Sequence, residues 1–92
     1  MGRLLHFEVI ADDRFGQTED DAIAMAEQIR RDLLALPSVK VTTGRVRALW
    51  FGEPENNWQW RIGFWIAKTR AVTWNEVMRT VNRTKAPYYR YV

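Results

Sequence analysis

Apolar and polar residues alternate most strictly between Arg45 and Ala67, the stretch RVRALWFGEPENNWQWRIGFWIA. In its second half Trp58, Trp60, Ile62, Phe64 and Ile66 alternate with Gln59, Arg61, Gly63, Trp65 and Ala67, the period of two that marks a strand with one buried face. Val46, Ala48 and Trp50 match the inward set in the first half. Arg45, Arg47, Leu49 and Phe51 are then left on the opposite face. Gly52 to Asn57 between the halves is rich in turn formers, so the stretch predicts a β-hairpin at the centre of a sheet. The same parity makes Trp50, Trp58 and Trp60, with Trp74 further on, core residues, a rim position beside the Asn56-Asn57 turn being the alternative for Trp58.

The flanking segments carry their own periods. Leu4 to Ala11 alternates and predicts a first strand, with His6 and Glu8 on the outer face. Asp12 to Gln17 reads as a loop. Thr18 is placed as a helix N-cap with Glu19, Asp20 and Asp21 in the first turn, where negative charge meets the helix dipole. Ala22, Met25, Ala26, Ile29, Leu33 and Leu36 then recur at helical spacing until Pro37 stops the helix. Val39, Val41 and Thr43 alternate out of phase with Val46, Ala48 and Trp50. One extra residue at Gly44-Arg45, a β-bulge, reconciles the two and makes a long, bent second strand. Lys68 to Ala71 reads as a loop. Thr73 and Glu76 form a capping box, with Val72 and Val77 placed as a hydrophobic staple, for a second helix running to about Thr84 to Ala86 before Pro87. Tyr88 to Val92 predicts a short edge strand.

The order is therefore β-α-β-β-α-β. Right-handed crossovers place both helices on one face of a four-stranded antiparallel sheet of order 4-1-3-2, a ferredoxin-like α+β sandwich formed by one domain over residues 1–92. The other sheet face is bare. Its expected members are Arg45, Arg47, Leu49, Phe51, Gln59, Arg61 and Trp65, with His6, Glu8 and one parity of the C-terminal run that holds Tyr89 and Tyr91.

Composition narrows the chemistry. Without cysteine there is no disulfide, no thiolate catalysis and no Cys-ligated metal. The start of the chain lacks a secretory or myristoylation pattern, and no run approaches the ~18 apolar residues of a membrane span. A cytoplasmic protein is expected. The formal net charge of +3 permits contact with nucleic acid without requiring it. Eleven Arg against three Lys (Lys40, Lys68 and Lys85) is the usage of a GC-rich coding genome, as in many bacteria and their phages.

Asp12, Asp13, Glu19, Asp20 and Asp21 cluster within ten residues but lack calcium-loop spacing. They read as loop solvation and helix-dipole partners. Asp12, at the end of the first strand, resembles in placement the acidic residue of CRISPR-associated nucleases of ferredoxin-like fold, a likeness that implies metal-dependent nuclease activity. His6 has no nucleophile or second ligand to serve, and no phosphate loop, serine elbow or zinc motif occurs. No catalytic residue, metal or cofactor is expected. Arg61 to Lys68 resembles the third-strand octamer of RNA-recognition motifs at its opening Arg, at Trp65 in the fifth place and at Ile66; the likeness implies single-stranded RNA or DNA stacked on the sheet face. Glu8 on that face would repel phosphate. Trp, Tyr and Arg together also make the buried centres of protein interfaces. The expected function is thus a small non-enzymatic module that binds protein, a second copy or a different partner, through the sheet face. Nucleic-acid binding is the alternative.

Overall fold

The computed structural model describes residues 4–52, 57–83 and 89–91. Strand β1 (Leu4–Asp12) is followed by a 3-10 turn (Asp13–Phe15), helix α1 (Glu19–Leu34), strands β2 (Val39–Thr43), β3 (Arg47–Phe51) and β4 (Asn57–Lys68), helix α2 (Trp74–Arg83) and strand β5 (Tyr89–Tyr91). All pairings are antiparallel. The sheet runs β2-β4-β1-β5, with β3 also on β4. This is an α+β architecture of an antiparallel sheet and two helices, compatible with a ferredoxin-like arrangement.

Local sequence explains the elements. The Thr18 hydroxyl accepts from the Asp21 amide while the Asp21 carboxylate accepts from the Thr18 amide, a reciprocal capping box that opens α1. Ala22, Ala26, Ile29 and Leu33 form its buried stripe, as the helical spacing predicts. At α2 the Thr73 hydroxyl accepts from the Glu76 amide, and Val72 and Val77 are both buried. The expected end of this helix near Thr84 to Ala86 lies outside the described residues, as do Glu53 to Asn56 of the hairpin turn and the outer residues Tyr88 and Val92 of the last strand.

The bulge forms where the phase change requires it. Thr43 pairs with Phe64 and Arg47 with Arg61, so three residues, 44 to 46, face two, 62 and 63. The Gly44 amide still donates to the Gly63 carbonyl at 2.8 Å. The expected single bent strand is therefore two short ones, β2 and β3, lying along successive halves of β4.

One core joins the sheet to both helices: Phe7, Val9 and Ala11 of β1, Ile62, Phe64 and Ile66 of β4, and the apolar stripes of α1 and α2. Beyond Trp60 the helices give out. The molecule measures 47 × 23 × 19 Å, and neither helix packs appreciably on β3. Trp60 and Trp74 lean on the core as expected. Trp50 and Trp58, read from parity as core, are instead 57% and 44% exposed. They do point to the helix side of the sheet, but at the end of the β3–β4 arm, where the two strands continue past Asp12 of β1 and the helices do not cover them.

Candidate functional site

The outer face is built in rows by the register of three strands. His6 pairs with Trp65 and Trp65 with Thr42; Ile10 pairs with Arg61 and Arg61 with Arg47; Asp12 pairs with Gln59 and Gln59 with Leu49; Phe51 pairs with Asn57. Six expected members, Arg47, Leu49, Phe51, Gln59, Arg61 and Trp65, thus share this face. Arg45 departs from it: it sits in the bulge and lines a groove beside α1. In β5 the backbone register sets Tyr91 opposite Phe7, Arg90 opposite Glu8 and Tyr89 opposite Val9. Tyr89 and Tyr91 therefore fall in the register rows of the core residues Phe7 and Val9, and Arg90 in the row of Glu8.

Trp65 makes an aromatic plate rather than an open stacking platform. Its indole lies on the His6 ring with centroids 4.7 Å apart and planes 15° from parallel, and it remains 39% exposed. The plate rests over glycine. A Cβ on Gly63 would come within 3.2 Å of the indole and 3.3 Å of His6 Nε2, and one on Gly44 within 3.2 Å of the indole. Any side chain there would lift the stack from the sheet.

Beside the plate runs a polar band. Arg47 Nη2 donates to Glu8 Oε1 at 3.0 Å, and Arg61 Nη1 lies 3.9 Å from Glu8 Oε2. Arg61 Nη2 donates to Gln59 Oε1 at 3.0 Å, and Gln59 Nε2 to Asp12 Oδ2 at 2.7 Å. Asp12 also accepts from Asn57 Nδ2 at 3.0 Å and from Arg14 Nη2 at 2.9 Å. Both carboxylates are buried, Glu8 being 5% and Asp12 3% exposed. The Arg14 guanidinium hydrogen-bonded to Asp12 holds its carboxyl down at about 2, against the opposing effect of burial and with further help from Gln59.

Three arginines (Arg14, Arg47, Arg61) against two carboxylates (Glu8, Asp12) leave the band with a net charge of only +1. A chain of paired charges of this kind is nearly neutral to an approaching molecule. It offers a polyanion little of what Arg content alone suggested.

Two parts of the band were not legible as such. The sequence pattern places Asp12 in a loop and Asn57 in a turn, yet Asp12 closes β1 and Asn57 opens β4. The signal was there in parity: Asp12 continues the outer series Glu8, Ile10, and Asn57 precedes the outer series Gln59, Arg61. Asp13 is likewise structural, its Oδ2 accepting from the Trp58 amide at 2.9 Å and so tying the 3-10 turn to the base of the arm. No group of three or more His, Cys, Asp or Glu that could hold a metal occurs among the described residues. No helix among them is long and apolar enough to cross a membrane.

Compared with known proteins, the chain matches no family model, no curated protein and no solved structure.

Proposed function

We propose that this chain is a ferredoxin-like domain, with β2 and β3 serving as one bulged strand in the order 4-1-3-2, that works without catalysis by docking a partner protein on its outer sheet face. The observation that carries the reading is the pairing of a half-exposed indole with a charge-neutralised surround. Trp65 is held flat by His6 and Gly63, and the arginines next to it already face Glu8. A flat, pre-ordered aromatic ringed by paired charges is the anatomy of a protein hot spot. The cytoplasm is the proposed setting, and Arg-rich usage fits an accessory protein of a GC-rich bacterium or its phage.

The nucleic-acid alternative draws on the same indole and on the Arg content. Against it stand the buried carboxylates Glu8 and Asp12 within the face, and the face of Trp65 already covered by His6. The nuclease likeness draws on Asp12 alone. Against it stand the Arg14, Asn57 and Gln59 donors already directed at both oxygens of that carboxylate.

Trp65→Ala separates these readings. The immobilised wild-type chain should capture a defined host protein, and the variant should bind it at least tenfold more weakly, the loss typical of a central Trp. Labelled single-stranded oligonucleotides, titrated at about 50 and 200 mM salt, should show no tight binding. Tight binding with a steep salt dependence, lost in Trp65→Ala, would replace the protein reading with the nucleic-acid one.

A further inference from the structure

Among the described residues β2 pairs with β4 alone, so its far side is an open edge of the sheet. Two hydrogen bonds at its ends set which way its backbone groups point. The Gly44 amide donates to the Gly63 carbonyl at 2.8 Å and the Thr69 amide to the Ser38 carbonyl at 3.3 Å, both in the register that pairs Thr43 with Phe64 and Val39 with Lys68. Hydrogen-bonded pairs alternate with non-bonded ones along an antiparallel ladder, so Lys40 and Thr42 turn their backbone groups to β4. Val39, Val41 and Thr43 turn theirs outward.

The edge runs into a groove. Past Thr43 and Gly44, which line it, the bulge and α1 enclose about 360 Å³ floored by Ile23, Ala26, Val46 and Ile62. Its charged members are Arg30 and Arg45 against Glu27. Neither arginine has an ion-pair partner among the described residues. Lys40 is exposed on the same edge, so three cations and one carboxylate leave it with a net charge of +2.

From the outward amides and the cationic groove we propose that this edge takes up an extended acidic segment of a partner protein as a further antiparallel strand. An open edge offers a donor and an acceptor at every second residue, and an extended chain is the ligand that matches that spacing. Alternation then sorts the side chains of the segment. Those beside Val39, Val41 and Thr43 fall on the helix side, where Val39 and Val41 pack on the core and the groove receives an apolar group. Carboxylates on the segment meet Lys40 and, at the bulge, the two rim arginines. Charge also selects against the nearest rival: a second copy would bring the same +2 edge, and like charges facing across a strand pair oppose pairing. A lysine is a common guard of an open edge, and this one turns away basic strands while admitting acidic ones. The backbone groups lie in the plane of the sheet and the groove on its helix side, so this surface is separate from the Trp65 plate.

The test is amide hydrogen exchange and resonance shifts of the full chain, free and with a capped peptide in which glutamate alternates with valine. In the free chain the amides of Val39, Val41 and Thr43 should exchange at least tenfold faster than those of Lys40 and Thr42. Near-millimolar peptide should slow those three and shift resonances from Val39 to Val46. Arg30→Glu with Arg45→Glu should weaken the peptide about tenfold, as should Val41→Pro, which deletes an outward donor and no bond to β4. The same peptide N-methylated at its valines keeps every side chain and charge and should not bind; it covers the case in which the proline variant folds poorly. Absence of protection at Val39, Val41 and Thr43 overturns the proposal. So does equal binding of the N-methylated peptide, or of one with lysine in place of glutamate. The peptide carries no group for Trp65, so its failure would leave the outer-face reading standing.

Discussion

Phe64→Ala is expected to remove most of the stability of this chain. Phe7 and Phe64 are directly paired on the two central strands, their rings stacked with centroids 4.9 Å apart, and both are fully buried. Truncating such a ring costs about 3–5 kcal/mol, because the transfer energy is lost and the surrounding packing cannot close the cavity. A domain of this size has about 5–15 kcal/mol in all. In urea the midpoint should fall by about 2–4 M, or the cooperative transition should vanish. Trp58→Ala is the matched control, a larger side chain removed from an exposed site, and should lower the stability by less than about 1 kcal/mol. Equal losses for the two would mean that the arm is as well packed as the core, contrary to the exposures of Trp50 and Trp58.

That contrast marks the limit of what alternation in the sequence can convey. Parity correctly assigns the side of the sheet for each described member of β4, and the phase change between Val41 and Val46 correctly locates the bulge. Parity does not say whether anything lies over a given side. The missing quantity is length. Helix α1 has 16 residues, about 24 Å at 1.5 Å per residue, whereas β4 has 12, about 40 Å. A helix anchored by Ala22, Ala26, Ile29 and Leu33 over the middle of the sheet cannot reach both ends of such a strand. Trp50 and Trp58 are left outside. Both lengths could be read from the caps and from the hairpin alternation, so comparing them would have exposed the arm. The C-terminal tyrosines are a different case. A short run such as Tyr88 to Val92 alternates in either phase, and only pairing with β1 fixes which residues share a row with Glu8.

The candidate site was legible in its aromatic part and less so in its charges. Trp65 and Arg61 follow from parity alone. Burial of Glu8 follows from three strands converging on one point: Gly63, with no side chain, is its partner on β4, and Arg47 and Arg61 close over it. Seen from sequence, Glu8 is simply a polar residue on an outer face. In the fold it neutralises the arginines that seemed to advertise a nucleic-acid surface, and it turns a basic stripe into a nearly neutral plate.

Asp12→Ala should be the most damaging change on that plate, at about 2–4 kcal/mol. The carboxylate caps the 3-10 turn through the Arg14 amide at 2.9 Å and collects Asn57 and Gln59 from β4. Without it the buried Asn57 amide has lost its acceptor and the end of β1 is no longer tied to the start of the arm. Asp12→Asn retains the side-chain size and one acceptor oxygen but turns an amide NH2 toward donors. It removes the charge together with part of the hydrogen bonding, and the pH-dependent part of its effect reports the charge. Because the Arg14 hydrogen bonds lower the Asp12 carboxyl from 3.8 to about 2 in the folded protein, the native state binds this proton less tightly than the unfolded chain does. The ionised carboxylate therefore stabilises the fold fully above about pH 4, and that contribution fades as pH falls through the interval down to about 2. Its size is about 1 kcal/mol, since the Arg14 side chain is 41% exposed and water shares the interaction. Urea midpoints of the wild type and Asp12→Asn should accordingly differ at neutral pH and converge between pH 4 and pH 2, because the remaining carboxylates titrate alike in both. A gap that persists unchanged to pH 2 would show that the Asp12 charge contributes nothing and that its role is hydrogen-bond geometry alone.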